Sequence, residues 1–125
     1  MIVGIGLDVV ETARVARALA KYGKRFEDRV FTAAELAECA GRADRVQALA
    51  GRFAAKEALL KALGTGWIDG LSFRQVEVVS GNGRGPTLKL ADAVAARVRE
   101  RGIRGLHLSL SHEPGLAAAV VVLED

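Results

Sequence analysis

From about Arg45 to Leu63 the chain carries an unbroken helical pattern, and Gly64 and Gly66 end it. On a 3.6-residue period Val46, Leu49, Ala50, Phe53 and Leu60 form one apolar stripe, the mark of a helix laid against a core. Glu57 falls in the middle of that stripe, four residues after Phe53 and three before Leu60. A carboxylate buried there without a partner would cost several kcal/mol. It therefore needs a cation, a metal or a rich set of donors. One answer is an ion pair with Lys61, a turn later and in the favourable Glu-then-Lys order.

The segments around this helix read as α+β, with a long central helix on a mixed or antiparallel sheet. Ile2 to Val10 is apolar on both parities and reads as a strand buried on both faces. Gly4 and Gly6 within it let another backbone or a ligand come close. Thr12 is an N-cap candidate for a helix with Val15, Leu19 and Tyr22 inward, stopped by Gly23. Thr32-Ala33-Ala34-Glu35 is a capping-box pattern that predicts a helix over Ala33 to Ala40, and Arg42 to Gln47 reads as polar loop. Strands are predicted at Leu71–Val79 and Thr87–Leu90 and a helix over Ala91 to Arg101. Leu106, Leu108 and Leu110 alternate with His107, Ser109 and Ser111. Pro114-Gly115 then turns the chain, in a type II pattern, into a buried strand Ala117–Leu123.

A length of 125 residues suits one domain spanning 1–125. The longest apolar run, Leu116 to Leu123, is too short to cross a bilayer, and Met1 to Gly4 lacks the basic start of a signal peptide. The single cysteine, Cys39, excludes an intrachain disulfide and a cysteine-based zinc site, so a cytoplasmic location is expected. The net charge is +3, but Arg14 to Arg29 holds six basic residues against Glu27 and Asp28, a local +4. Such a run is either a solvated helix face or a docking patch for an acidic surface. Nucleic acid is disfavoured as a partner, because aromatic residues are only 5% of the chain and no zinc-finger or RNP-like motif is present.

Asp8 is the second carboxylate in an apolar run. It serves either as a turn or cap for the helix near Thr12, or as a partner of Glu57. Two carboxylates with water and phosphate oxygens make a normal Mg²⁺ environment, and Lys61 could then reach a phosphate as a point charge. His112 reads either as a satisfied structural histidine or as a site residue, and the loops Gly64-Thr65-Gly66 and Asn82 to Pro86 are weak candidates for cradling phosphate with backbone N–H groups. No P-loop or dinucleotide fingerprint occurs.

Three stretches taken together resemble one family. Gly4-Ile5-Gly6-Leu7-Asp8 opens the chain. Arg52-Phe53-Ala54-Ala55-Lys56-Glu57-Ala58-Leu59-Leu60-Lys61-Ala62-Leu63-Gly64 lies at its centre, and His107-Leu108-Ser109-Leu110-Ser111-His112 precedes the last strand. They resemble the holo-[acyl-carrier-protein] synthases, the small type of 4′-phosphopantetheinyl transferase. The resemblance implies that family's fold and the transfer of 4′-phosphopantetheine from coenzyme A to a serine of apo acyl carrier protein. It places that reaction in fatty acid biosynthesis, with adenosine 3′,5′-bisphosphate as the other product. It implies Mg²⁺ held by Asp8 and Glu57, and a homotrimer with active sites between neighbouring subunits. Asp8, Glu57, Lys61 and His112 match the catalytic positions, the base being Glu57 or a metal-bound water. Arg52, Lys56, Lys61, Gly64, Asn82, Pro86 and His112 match the coenzyme A positions. The Asn82 loop carries an extra residue relative to the family's shorter form. Arg14, Lys24, Arg25, Phe26 and Arg29 match the carrier-docking face, which favours docking over a merely solvated helix. The alternative without the resemblance is a non-enzymatic basic module that binds RNA or an acidic protein.

Overall fold

A computed structural model describes residues 1–68, 70–81 and 83–125. Strand β1 (Ile2–Glu11) leads into three short helices, α1 (Thr12–Tyr22), α2 (Lys24–Val30) and α3 (Ala33–Cys39). The long helix α4 (Arg45–Leu63) follows, then a 3-10 turn at Phe73–Gln75 and strands β2 (Val76–Val79) and β3 (Thr87–Leu90). Helix α5 (Asp92–Glu100) and the hairpin β4 (Gly105–Glu113) and β5 (Leu116–Glu124) complete the chain. β5 lies between β1 and β4 in an antiparallel sheet, and β2 pairs with β3 in a second antiparallel sheet. The α+β reading with a long central helix stands.

Helix α4 is set against β1 and β5 by small residues. Gly4 and Gly6 sit directly beneath it: a Cβ on Gly4 would lie 2.4 Å from the Ala62 carbonyl oxygen, and one on Gly6 only 1.8 Å from that of Ala58. Glycine is therefore required at both positions, and the helix backbone rests on the strand backbone. Ala54, Ala55, Ala58 and Leu59 of α4 and Ala117, Ala119, Val121 and Leu123 of β5 are buried in the same core. At the helix end Gly64 takes the left-handed conformation (φ 74°), and its N–H donates to Leu60 O and Lys61 O.

The sequence reading of β1 as buried on both faces is corrected. Gly6 and Val10 are buried and face α4, whereas Ile5, Leu7 and Val9 are each more than half exposed. Ile5 lies opposite Val122, Leu7 opposite Val120 and Val9 opposite Ala118. The outer face of the sheet is thus apolar along β1 and β5. Three smaller corrections follow. Leu71–Val79 divides into the 3-10 turn and β2, Tyr22 is exposed rather than inward, and Lys24–Val30 forms a helix of its own. Glu11, not Thr12, occupies the α1 N-cap position, without a side-chain cap.

The capping box at Thr32 is present and has a further use. Glu35 Oε1 accepts from Thr32 N, while Glu35 N donates to Thr32 Oγ1. The same carboxylate accepts from Val78 N and from Lys56 Nζ at 2.7 Å, and both charged side chains are fully buried. Lys56 also donates to Val30 O and Phe73 O. This ion pair fastens α2, α3 and the Phe73 turn to α4.

Candidate active site

Asp8 follows Gly6 on the face of β1 turned to α4. Lys61 Nζ donates to Asp8 Oδ1 at 3.0 Å and to Leu7 O at 3.1 Å. Asp8 is largely sheltered, with 15% of its side chain exposed, while Lys61 is 54% exposed and keeps donor capacity toward solvent. Glu57 stands one turn before Lys61, half-buried, and its Oε1 accepts from Trp67 Nε1 at 3.2 Å. The cation of this group is therefore paired with Asp8 rather than with Glu57. Among the described residues no group of three or more His, Cys, Asp or Glu side chains gathers to hold a metal. Two carboxylates without a third protein ligand suit an ion that keeps its waters and takes substrate phosphates. That is the habit of Mg²⁺ rather than of zinc.

A second feature lies at the other half of α4. A cleft of about 310 Å³ is lined by Arg42, Arg52, Ser80, Gly85, Pro86 and His112, among others. Arg52 is only 5% exposed; its Nη1 donates to Ala48 O, and its Nη2 lies 3.4 Å from Glu38 Oε2. Its Nε has no partner among the described residues. Arg52 thus brings a largely buried guanidinium, held by Ala48 O and Glu38, to the wall of the cleft. The Ser80 hydrogen bond, against the effect of burial and with help from Arg52, holds the Glu38 carboxyl below its ordinary range. Arg42 is gripped by Asp44 through two bonds of 2.8 and 2.9 Å. His112 is exposed at the end of β4, whereas His107 lies toward the other end and contacts Glu124 on the outer face of the sheet.

Of the expected coenzyme A residues, Arg52, Pro86 and His112 meet at this cleft. Lys61 and Gly64 do not line it; Gly64 serves as the exposed cap of α4. Asn82 lies outside the described residues. Lys56 is corrected: it is fully buried, and its three donors are taken by Glu35, Val30 and Phe73, so none is left for a ligand.

The basic segment borders an apolar groove of about 440 Å³ lined by Tyr22, Arg25, Phe26, Arg29, Phe53 and Phe73, with Val30. Arg14 reaches a smaller hollow that shares Phe26 and Phe53 with that groove. Lys24 lines neither hollow, and its ammonium lies 3.4 Å from Asp28. Arg14, Arg25, Phe26 and Arg29 thus surround Phe53, while Lys24 stands apart.

Sequence reasoning passed over Glu35, Arg42 and Trp67. Glu35 had a signal in its capping box, but its second role depends on contacts 21 and 43 residues away. Trp67 had one too, as the chain's single tryptophan placed just after a helix-ending glycine.

The sequence model of the 4′-phosphopantetheinyl transferase superfamily matches residues 4–120. A holo-[acyl-carrier-protein] synthase of Methylobacterium radiotolerans is 48% identical over 128 aligned residues, covering 99% of this chain and 94% of that one. The crystal structure of the Neisseria meningitidis holo-[acyl-carrier-protein] synthase superposes with a TM-score of 0.93, at 38% identity and over 100% of both chains. That of the Helicobacter pylori synthase in complex with coenzyme A gives a TM-score of 0.84 at 31% identity, over 96% of this chain and 99% of that one. Matched over nearly its whole length in sequence and in fold, this chain belongs to the 4′-phosphopantetheinyl transferase superfamily, among the holo-[acyl-carrier-protein] synthases.

Proposed function

We propose that the protein transfers the 4′-phosphopantetheine arm of coenzyme A to a serine hydroxyl of an apo acyl carrier protein of fatty acid biosynthesis. Adenosine 3′,5′-bisphosphate leaves. The observation that carries this reading is the Lys61–Asp8 contact beside Glu57, at the point where Gly4 and Gly6 bring α4 down onto β1. The serine oxygen forms a bond to the pantetheine-side phosphorus as the bond from that phosphorus to the bisphosphate oxygen breaks. Glu57 would take the serine proton, and Lys61 would face the charge on the departing oxygen. Asp8 holds the Lys61 ammonium at 3.0 Å and so fixes where that positive charge stands. Asp8 and Glu57 also fit a magnesium ion, which when bound would offset pyrophosphate charge. Arg52, Pro86 and His112 line the cleft suited to the nucleotide end.

Asp8, Glu57 and Lys61 do not line the cleft of their own chain. A site that joins the two halves across a subunit boundary accounts for this separation. The apolar outer face of β1 and β5 is a suitable contact for a closed trimer. The Arg14–Arg29 face and its groove are the docking surface for an acidic carrier. A cytoplasmic location agrees with this partner, and no helix among the described residues is long and apolar enough to cross a membrane. The alternative of a non-enzymatic basic module has nothing in its favour, since the relatives matched over full length are synthases. The test is to incubate the protein with coenzyme A, Mg²⁺ and an apo carrier and to weigh the carrier. A gain of one phosphopantetheine is expected; an unchanged carrier beside an active reference synthase would overturn the reading.

A further inference from the structure

Trp67 is the chain's single tryptophan, and its indole N–H is directed at Glu57 across ten residues of sequence. The contact is built by the segment that follows α4. Gly64 turns the chain back in the left-handed conformation, Thr65 N donates to Leu60 O, and Ile68 N donates to Gly66 O. The indole then lies on the Phe73 ring, with centroids 4.0 Å apart, and Phe73 stacks on Phe53 of α4 at 5.6 Å. Phe73 is itself fixed, because its carbonyl accepts from the buried Lys56 ammonium. Trp67 is therefore a half-buried donor on a braced aromatic platform, aimed at one oxygen of the carboxylate that the reaction needs.

We infer that Trp67 is a positioning residue for Glu57, an inference that rests on the transferase reading given above. A carboxylate on a helix surface can rotate about three side-chain torsions and present either oxygen. Donation from Trp67 to Oε1 holds one orientation and leaves the lone pairs of Oε2 for an incoming hydroxyl or a bound cation. A hydrogen bond to a charged acceptor is about twice as strong as a neutral one, enough to select a rotamer. Indole can donate but cannot accept, so the contact is lost when Glu57 is not an acceptor. The part played by the aromatic platform is packing, and that of the N–H is orientation. A phenyl ring at this position keeps the first and loses the second.

That difference defines the experiment. Trp67→Phe and Trp67→Ala are compared with the wild type for kcat, for KM toward coenzyme A, and for melting temperature. Orientation through the N–H predicts that Trp67→Phe loses about tenfold in kcat, equivalent to roughly 1.4 kcal/mol. It predicts a change of less than about twofold in KM, and a loss approaching that of Trp67→Ala. Packing alone predicts that Trp67→Phe turns over like the wild type and only Trp67→Ala falls, which would overturn the inference while leaving the transferase reading in place. A second readout needs no turnover. The ¹⁵N-labelled protein has one indole N–H resonance, which should shift and exchange with solvent faster in Glu57→Ala. A resonance indifferent to Glu57→Ala would overturn the contact itself. An inactive wild type would overturn the transferase reading and the catalytic role with it, and the indole resonance would still show whether Trp67 holds Glu57.

Discussion

Lys61 Nζ reaches Asp8 Oδ1 at 3.0 Å across the β1–α4 contact, from the turn of helix that follows Glu57. This bond ties the cation to Asp8 and leaves Glu57, one turn earlier, to its contact with Trp67. Lys61 is 54% exposed, so the pair contributes little to folding, under about 1 kcal/mol. Its value is in where it holds charge. Asp8→Asn should leave the melting temperature nearly unchanged and lower carrier modification by about 100-fold or more. Thermal denaturation and the carrier mass shift, measured on one preparation, check both halves.

Gly6→Ala tests whether the strand–helix approach builds the site. The added Cβ would lie 1.8 Å from Ala58 O and 2.7 Å from Ala62 N, both backbone atoms that cannot rotate away. The helix and strand must move apart, at a cost of about 3 kcal/mol. Asp8 lies two residues along the same strand, so its reach to Lys61 changes with the displacement. Activity per folded molecule should fall as well as stability, which a melt combined with active-site titration would resolve.

The buried Lys56–Glu35 pair gives two linked expectations. Lys56→Met removes the cation and leaves the Glu35 carboxylate buried with only backbone donors and no cation, so about 3–5 kcal/mol of stability should be lost. Burial pushes the Lys56 ammonium below its ordinary value of 10.5, against the opposing pull of Glu35. Between the lowered native value and 10.5 the unfolded chain holds the proton more tightly than the folded one. The Lys56 contribution to stability is therefore largest above 10.5 and is lost as pH falls through the native value. In denaturant titrations the lead of wild type over Lys56→Met should widen as pH is raised toward 10.5. A lead that narrows would show that Glu35, not burial, dominates.

Lys56 and Glu57 also show how far the sequence could be read. The bounds of α4, the Thr32 capping box and the Gly4 and Gly6 approach follow from local rules of capping, periodicity and side-chain size. Which of two adjacent residues is buried does not. Helix α4 packs on the β1–β5 sheet on one flank and on α1, α3 and β2 elsewhere, and residues around much of its circumference are buried. A helix enclosed in this way has no single apolar stripe, so periodicity placed Glu57 in the core and missed Lys56. For β1 the error ran the other way: apolar residues on both parities signalled two covered faces, and one chain covers only the face against α4. Trp67 lies in a loop without any period, and only the Gly64 reversal brings it to Glu57.

That uncovered face is the next test. Leu7 is 59% exposed at the centre of the outer row, opposite Val120 and between Ile5 and Val9. Leu7→Glu places a carboxylate in the middle of this patch, where the isolated chain tolerates it and a subunit contact does not. Sedimentation should show the wild type as a trimer and Leu7→Glu as a monomer with an unchanged circular dichroism spectrum. Transfer should fall with the assembly, because the cleft and the Asp8–Lys61 pair of one chain stand apart.

Charge reversal on the basic face separates carrier docking from coenzyme A binding. Arg25 and Arg29 border the groove with Phe26 and Phe53, away from the cleft that holds Arg52 and His112. Attraction between this face and an acidic carrier is screened over about 8 Å at physiological salt, so wild-type KM for the carrier should rise with ionic strength. Arg25→Glu with Arg29→Glu should raise that KM by at least about tenfold at low salt and flatten its salt dependence. KM for coenzyme A should stay within about twofold, because the altered groups do not line the cleft that holds Arg52 and His112. Steady-state kinetics at two salt concentrations, varying each substrate in turn, would reveal a docking role elsewhere if both KM values moved together.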